Sequence, residues 1–302
     1  MPRLRRLCPH LGLSLLALLV ALLVAAPSAQ AIDPGTIVFQ GKRNNEALIF
    51  TIGANGSGLK QWGPGAQPTI SRDGKTIVFV KATDGGGADL WARNANGANL
   101  RRLTDDPGTD SSPSISANGQ MVVFLGNRPD SDGVNIFSID IDGTDERQLT
   151  HGEDNYSAPS ISPDGSRIVF LGTLNGTAQV KAMDLDGGDV VQLTRPSEPF
   201  EEVERPSFSP DGKRVIFGAE VAKKNRIFIC DAKDGGDRVQ VTKGDDEGAE
   251  PAFSPNGSAI AFRRGPNIFT MNADGTGADR VTALDPNAPG VPFANLRPSW
   301  GQ

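Results

Sequence analysis

Apolar residues along this chain recur in short triplets, each set just behind a polar turn. The stretch Pro159–Phe170 reads PSISPDGSRIVF, and near-copies stand at PTISRDGKTIVF, PSISANGQMVVF, PSFSPDGKRVIF and PAFSPNGSAIAF. One unit can be followed through. Ser160–Ser162 predicts a short first strand. In Ser162-Pro163-Asp164-Gly165 the proline presets φ and the glycine takes the left-handed position, which makes a turn. Arg167–Leu171 predicts a second strand, whose apolar run Ile168-Val169-Phe170 suits burial on both faces. Val180–Asp184 predicts the third strand, Asp186-Gly187 a second turn, and Val190–Thr194 the fourth.

The proline that opens each copy falls at Pro68, Pro113, Pro159, Pro206, Pro251 and Pro298. Between them runs a second marker: Asn55-Gly56, Asn96-Gly97, Asp142-Gly143, Asp186-Gly187, Asp234-Gly235 and Asp274-Gly275. Asn-Gly and Asp-Gly supply the positive-φ residues that tight hairpin turns need. A period in the mid-forties with four short strands per unit predicts an all-β fold, a six-bladed β-propeller with four-stranded blades. The first unit begins at GTIVFQ, a second strand with no first strand before it. The chain finishes on RPSW, a first strand with nothing after it. Together they complete one blade, so the C-terminal strand is expected to join the N-terminal blade and close the ring, leaving no open edge to aggregate.

One apolar stretch breaks this rhythm. Leu11–Ala26 is uncharged, follows Arg3, Arg5 and Arg6, and leads to Ala29-Gln30-Ala31. That order predicts a secretory signal peptide over 1–31, its 16-residue apolar run being shorter than the roughly 20 residues a spanning helix needs, with a single propeller domain over 32–302. Cys8 precedes the apolar run, which argues against a lipid anchor. The expected mature protein is exported, periplasmic or extracellular, with no later transmembrane segment, and monomeric. Only Cys230 remains in it, so no intramolecular disulfide can form. The net charge of −6 becomes more negative once the leader arginines are removed. An acidic chain of this kind is not expected to bind nucleic acid.

Repeats of the form P-S-[IWF]-S-P-D-G, followed by a three-residue apolar strand and ending in D-G…Q-L-T, resemble the TolB-type β-propeller repeat. The likeness runs from about Gly35 to Trp300. It implies the propeller fold, but this repeat serves envelope scaffolds, carbohydrate-active enzymes and the gating domains of some peptidases. The periplasmic member that gives the family its name carries an additional N-terminal α/β domain, for which no residues stand before the first blade here.

The family's peptidases carry a hydrolase domain with G-x-S-x-G, and no serine here has that context. His151, the one histidine outside the leader, lies in a polar loop and reads as a solvated residue, so neither a Ser-His-Asp triad nor a histidine-built metal site is expected. Cys230 aligns with Ile52, Ile139, Met183 and Met271 of other third strands and reads as a packing cysteine.

The loops from each fourth strand to the next first strand emerge on one face. Asp105, Asp106 and Asp110 lie in one, Glu153 and Asp154 in the next, then Glu201, Glu202 and Glu204, then Asp245, Asp246, Glu247 and Glu250. Three readings follow: a solubilising rim, a docking face for a protein partner with a basic surface, or an oxygen-ligand Ca²⁺ site at Glu204 and Glu250. The sequence is read as a non-enzymatic interaction module with no cofactor required, these acidic residues forming the partner-binding surface. The alternative is a carbohydrate-active propeller, glycoside hydrolase or lyase, using channel-mouth carboxylates. Against it, the aromatic residues are few, and of Trp62, Trp91, Trp300 and Tyr156 only Tyr156 falls in a rim loop.

Overall fold

The computed structural model describes residues 35–43, 46–129, 133–151, 155–174, 176–195, 197–244, 246–282 and 297–301. The predicted leader, and with it the cleavage after Ala31, lies outside them. The described residues form strands and turns without a helix, and none is long and apolar enough as a helix to cross a membrane.

The strands assemble as a propeller of four-stranded antiparallel sheets. The first sheet orders Ser299–Gly301, Thr36–Arg43, Glu46–Gly53 and Lys60–Pro64. Tyr156–Ile161, Arg167–Leu174, Thr177–Asp184 and Val191–Gln192 form another, followed by Glu202–Phe208, Arg214–Val221, Lys224–Asp231 and Val239–Gln240. The last consists of Ala249–Phe253, Ala259–Arg264, Asn267–Asn272 and Asp279–Arg280.

The second and third repeats depart from the expected six separate sheets. Ala66–Ile70, Thr76–Ala82, Ala88–Asn94 and Arg101–Arg102 run on into Thr109–Ile115, Met121–Asn127, Val134–Asp140 and Arg147–Gln148 as one eight-stranded sheet. The junction is a single parallel pair, Ala88 opposite Thr109. Two glycines permit it. A Cβ on Gly87 would lie 2.5 Å from the Gly108 carbonyl oxygen, and one on Gly108 would lie 1.7 Å from that of Asn127.

The turns explain why the repeat needs its polar residues. In the unit read above, the Ser162 hydroxyl donates to Asp164 Oδ1 (2.6 Å) and accepts the Arg167 N–H (2.9 Å), while Gly165 sits at φ 75°. The same bonds recur from Ser71, Ser116, Ser209 and Ser254. The threonine closing each Q-L-T has a second task. Fourth strands such as Val191–Gln192 pair over only two residues, so Thr194 Oγ1 accepts the Val180 N–H at 2.9 Å where the ladder has ended. Thr104, Thr150, Thr242 and Thr282 do likewise.

The triplets build the core. Phe39, Phe124, Phe170, Phe217 and Phe262, one from each of five second strands, are fully buried. Apolar clusters lie between successive four-strand units rather than within them. One joins Val169 and Leu171 to Phe217 and Phe228, another joins Ile227 and Ile229 to Phe262 and Met271. A further cluster joins Ala261 and Ile268 of the last sheet to Ile37, Phe39 and Trp300 of the first. A blade cannot bury both of its faces alone, so its stability depends on its neighbours.

Candidate functional site at the channel mouth

The first strands surround a channel of about 520 Å³. Five of the six first strands are irregular at one place: the register shifts across the residue preceding the repeat proline. That residue has positive φ in every repeat: Gln67 (49°), Ser112 (50°), Ala158 (48°), Arg205 (43°), Glu250 (52°) and Arg297 (29°). Such a bulge re-aims a side chain out of the strand's alternation. All six of these residues line the channel. Non-glycine residues are uncommon in this region of φ/ψ space, and the repeated backbone holds six of them there.

Side chains from neighbouring repeats satisfy several of the bulge N–H groups. Gln40 Oε1 accepts the Gln67 N–H at 2.8 Å, and Gln67 Oε1 accepts that of Ser112. Glu204 Oε1 accepts the Glu250 N–H at 3.1 Å, and Glu250 Oε2 accepts the Arg297 N–H at 2.9 Å. The channel is therefore asymmetric. One arc carries Gln67, Ser112 and Ala158, neutral and mostly small, and the other carries Arg205, Glu250 and Arg297.

Of the sequence-predicted acidic residues, Glu202, Glu204 and Glu250 come together on this channel wall. Glu250 is buried and Glu204 half-buried. Burial, then the charge of Glu250, hold the Glu204 carboxyl above the ordinary glutamate range. Each carboxylate has one oxygen engaged by a backbone N–H, and Glu250 Oε2 also lies 3.6 Å from Arg263 Nε. Among the described residues no group of three or more His, Cys, Asp and Glu is arranged to hold a metal. Two partly engaged carboxylates fall short of the six to eight oxygens that Ca²⁺ takes, so water or other groups would have to supply the rest of its shell.

The other acidic residues stand apart from this wall, and arginines and lysines meet most of them. Arg128 reaches Asp110 (2.6 Å), Glu146 (2.8 Å) and Asp106 (3.2 Å). Lys223 pairs with Glu201, and Arg264 with Asp246 at 3.2 Å and with the Glu247 carbonyl at 2.8 Å. Asp105 is exposed. Glu153, Asp154 and Asp245 lie outside the described residues. Asp89, which the sequence reading passed over, is buried beside the eight-strand junction. Burial pushes its carboxyl up, against the opposing charge of Arg102 at 2.7 Å.

His151 is exposed, as expected of a solvated loop residue. Cys230 is fully buried among Val215, Phe217 and Phe228, and burial pushes its thiol up to about 11, the character of a packing residue. Trp62 is covered by Lys60 Nζ at 3.6 Å and by the Arg93 guanidinium at 4.5 Å from its ring centroid, and Trp300 is buried. Tyr156 packs edge-on against Phe170.

The Glu204 environment makes a prediction. A carboxyl whose pKa rises on folding costs stability above that raised value, and costs none below its unfolded value near ~4.3. Glu204→Gln removes the charge and keeps a carbonyl oxygen for the Glu250 N–H. The variant should melt at or above wild type at pH 7.5, and the difference should vanish as the pH falls to about 4. Thermal melts at both pH values check this; a marked loss at pH 7.5 would mean that the fold needs the charged carboxylate.

No protein-family model matches the chain, and no curated protein matches it. Among solved structures it is similar to TolB from Acinetobacter baumannii, with a TM-score of 0.70 and 20% identity over 88% of this chain and 66% of that one. The chain thus spans just under two thirds of that protein's length. It is also similar to a protein from Agrobacterium tumefaciens described as TolB, with a TM-score of 0.64 and 18% identity over 88% of this chain and 99% of that one. An oligogalacturonate lyase in complex with manganese aligns with a TM-score of 0.60 and 13% identity over 83% of this chain and 75% of that one. These likenesses establish the fold, a TolB-like β-propeller.

Proposed function

We propose that the chain is an exported, non-catalytic interaction module of the periplasm or extracellular space. In this reading it is a monomeric ring of six four-stranded blades. The eight-stranded sheet counts as two blades sharing one junction, and Ser299–Gly301 closes the ring against Thr36–Arg43. The cluster linking Trp300 to both the first and last sheets supports closure.

One observation carries the functional reading. The repeats keep the same residue types wherever the scaffold needs them: turn serines, hairpin glycines, latch threonines and core phenylalanines. At the bulge position facing the channel they differ: Gln, Ser, Ala, Arg, Glu and Arg. A scaffold that repeats everywhere except where it meets a cavity is organised to display distinct chemistry there. The partner is a protein with a basic surface, met by the mouth carboxylates Glu202, Glu204 and Glu250 and by the acidic loops around them.

The test is capture of envelope proteins by the tagged mature chain, compared with a variant carrying Gln or Asn at Glu201, Glu202, Asp245, Asp246 and Glu247. Exposed charges contribute little to stability, so the variant should fold. It should bind more slowly and with a flatter salt dependence. A partner captured equally by both proteins at every salt concentration would move the binding surface away from this face.

The Glu204–Glu250 pair favours a second reading. Two neighbouring carboxylates, one with its pKa raised by burial, are the makings of an acid–base pair acting on a saccharide. Release of reducing or unsaturated sugar ends from polysaccharides, lost in Glu204→Gln, would decide for it.

A further inference from the structure

Arg205 and Arg297 are two guanidinium groups with no carboxylate in hydrogen-bond reach; Glu250 and Glu204 act on Arg205 only through space. Other arginines around the mouth are matched: Arg128 to Asp110 and Glu146, Arg238 to Glu198, Arg264 to Asp246. Among the described residues neither the Arg205 nor the Arg297 guanidinium has a hydrogen-bond or ion-pair partner. The carboxylates that could have served are turned to other work. Glu250 takes the Arg297 backbone N–H and faces Arg263, and Glu204 takes the Glu250 N–H.

This arrangement is costly for an empty site. Burial first, then the charge of Arg297, lower the Arg205 pKa to about 10, and the opposing charges of Glu250 and Glu204 offset this only in part. Two like charges drawn from bulk water into one channel destabilise the fold unless something relieves them. An anion between them would do so. Both arginines hold the same positive-φ position before a repeat proline, two repeats apart, and both line the channel.

The shape of the donors narrows the ligand. A guanidinium is a planar fork that matches a carboxylate with two parallel N–H···O bonds. The rest of the channel narrows it further. Ser112 and Ala158 on the facing arc are small and leave room for a chain. Among the described residues the aromatic rings on the wall, Phe208, Phe253 and Trp300, are buried, so none of them is offered for a sugar to stack on. We propose that the channel mouth receives a carboxylate of a polypeptide, a chain end or an acidic side chain, clasped between Arg205 and Arg297. This rests on the reading of the face as a polypeptide-binding surface and gives the partner two poles, a basic flank for the rim and a carboxylate for the channel.

The experiment uses a defined probe, the peptide acetyl-Lys-Gly-Lys-Gly-Ser-Gly, as the free acid, as its C-terminal amide, and as the amide with Asp in place of Ser. Trigalacturonate is the fourth ligand. Binding to the mature protein is followed by calorimetry and thermal shift. The free acid or the Asp-bearing amide should bind at least tenfold more tightly than the plain amide, and which of them does so tells a chain end from a side chain. Arg205→Gln with Arg297→Gln should abolish that preference. Without ligand, Arg205→Gln should melt at or above wild type, because burial and the charge of Arg297 outweigh the pull of Glu250 and Glu204 on Arg205. A large loss of melting temperature in Arg205→Gln would overturn the proposal by revealing a structural role. Equal binding of all peptides, or a preference for trigalacturonate lost in the same double variant, would overturn it as well. Failure here with intact, salt-dependent capture of a protein at the rim would leave the interaction-module reading standing.

Discussion

A chain lacking Arg297–Gln302 should aggregate or melt far below wild type, although it loses only the last stub of sequence. Ser299–Gly301 pairs with Thr36–Val38, placing Trp300 opposite Ile37. Its removal would bare a strand whose Ile37, Val38 and Phe39 are fully buried and turn it into an apolar edge of the kind that recruits other chains. Trp300 packs with Ile37, Phe39, Leu48 and Phe50 of its own sheet and with Ala261 and Ile268 of the last. Truncating a buried aromatic to Ala costs about 3–5 kcal/mol, against about 5–15 kcal/mol for the stability of a whole domain. The Ser299 hydroxyl also accepts the Ile70 N–H at 3.3 Å, and Glu250 holds the Arg297 N–H, so the deletion cuts ties to the second and last sheets too. Trp300→Ala should give most of the loss and Trp300→Phe much less. Thermal melts with size-exclusion chromatography check both, and a deletion that stays monomeric with a wild-type melting curve would rule out closure by this strand.

The scaffold was legible because each repeat spells its turns. Ser-Pro-Asp-Gly and Asp-Gly have one economical backbone solution, and the apolar triplet between them fixes which strand is buried. Cys230 could be assigned to packing by alignment with Ile52 and Ile139 for the same reason. The blade junction was not legible. It depends on Gly87 and Gly108 meeting across a loop, and no periodicity records that. The mouth was only half legible. Glu204 and Glu250 stood out as carboxylates, but the shared property of Gln67, Ser112, Ala158, Arg205, Glu250 and Arg297 is a backbone angle, and their side chains have little in common. The available signal was the proline that follows each of them, read as a marker of the repeat rather than of the residue it constrains.

The acidic loops entering first strands share their face with the hairpins between second and third strands. Those hairpins bring Arg128, Lys223, Arg263 and Arg264, which meet Asp106, Asp110, Glu201, Asp246 and Glu250. Part of the predicted binding charge is thus already engaged within the protein.

Arg128→Met tests how much of that charge is structural. The guanidinium is nearly buried, lies 4.6 Å from the Phe137 ring centroid, and bonds Asp110, Glu146 and Asp106. Burial opposes its charge, but its bonds to Asp110 and Glu146 more than offset this and raise its pKa. Asp110 is 1% exposed, with one oxygen that has no hydrogen-bond partner even in the intact cluster. Methionine keeps the packing over the phenylalanine and leaves the carboxylates without their cation. Breaking a buried ion pair from one side costs about 3–5 kcal/mol, and the variant should lose close to that at pH 7.5. The pH dependence gives the cause. Burial already holds the Glu146 carboxyl up, and without Arg128 it should rise further above its unfolded value. A carboxyl raised in this way destabilises the fold above its folded pKa and not below its unfolded one, so the deficit relative to wild type should shrink as the pH falls toward about 4. Adding Asp110→Asn to Arg128→Met should recover part of the loss at neutral pH. Denaturant melts of the two variants at pH 4.5 and 7.5 measure this. A deficit independent of pH would assign the loss to packing, and no deficit at all would return Asp106 and Asp110 to the binding surface as free charges.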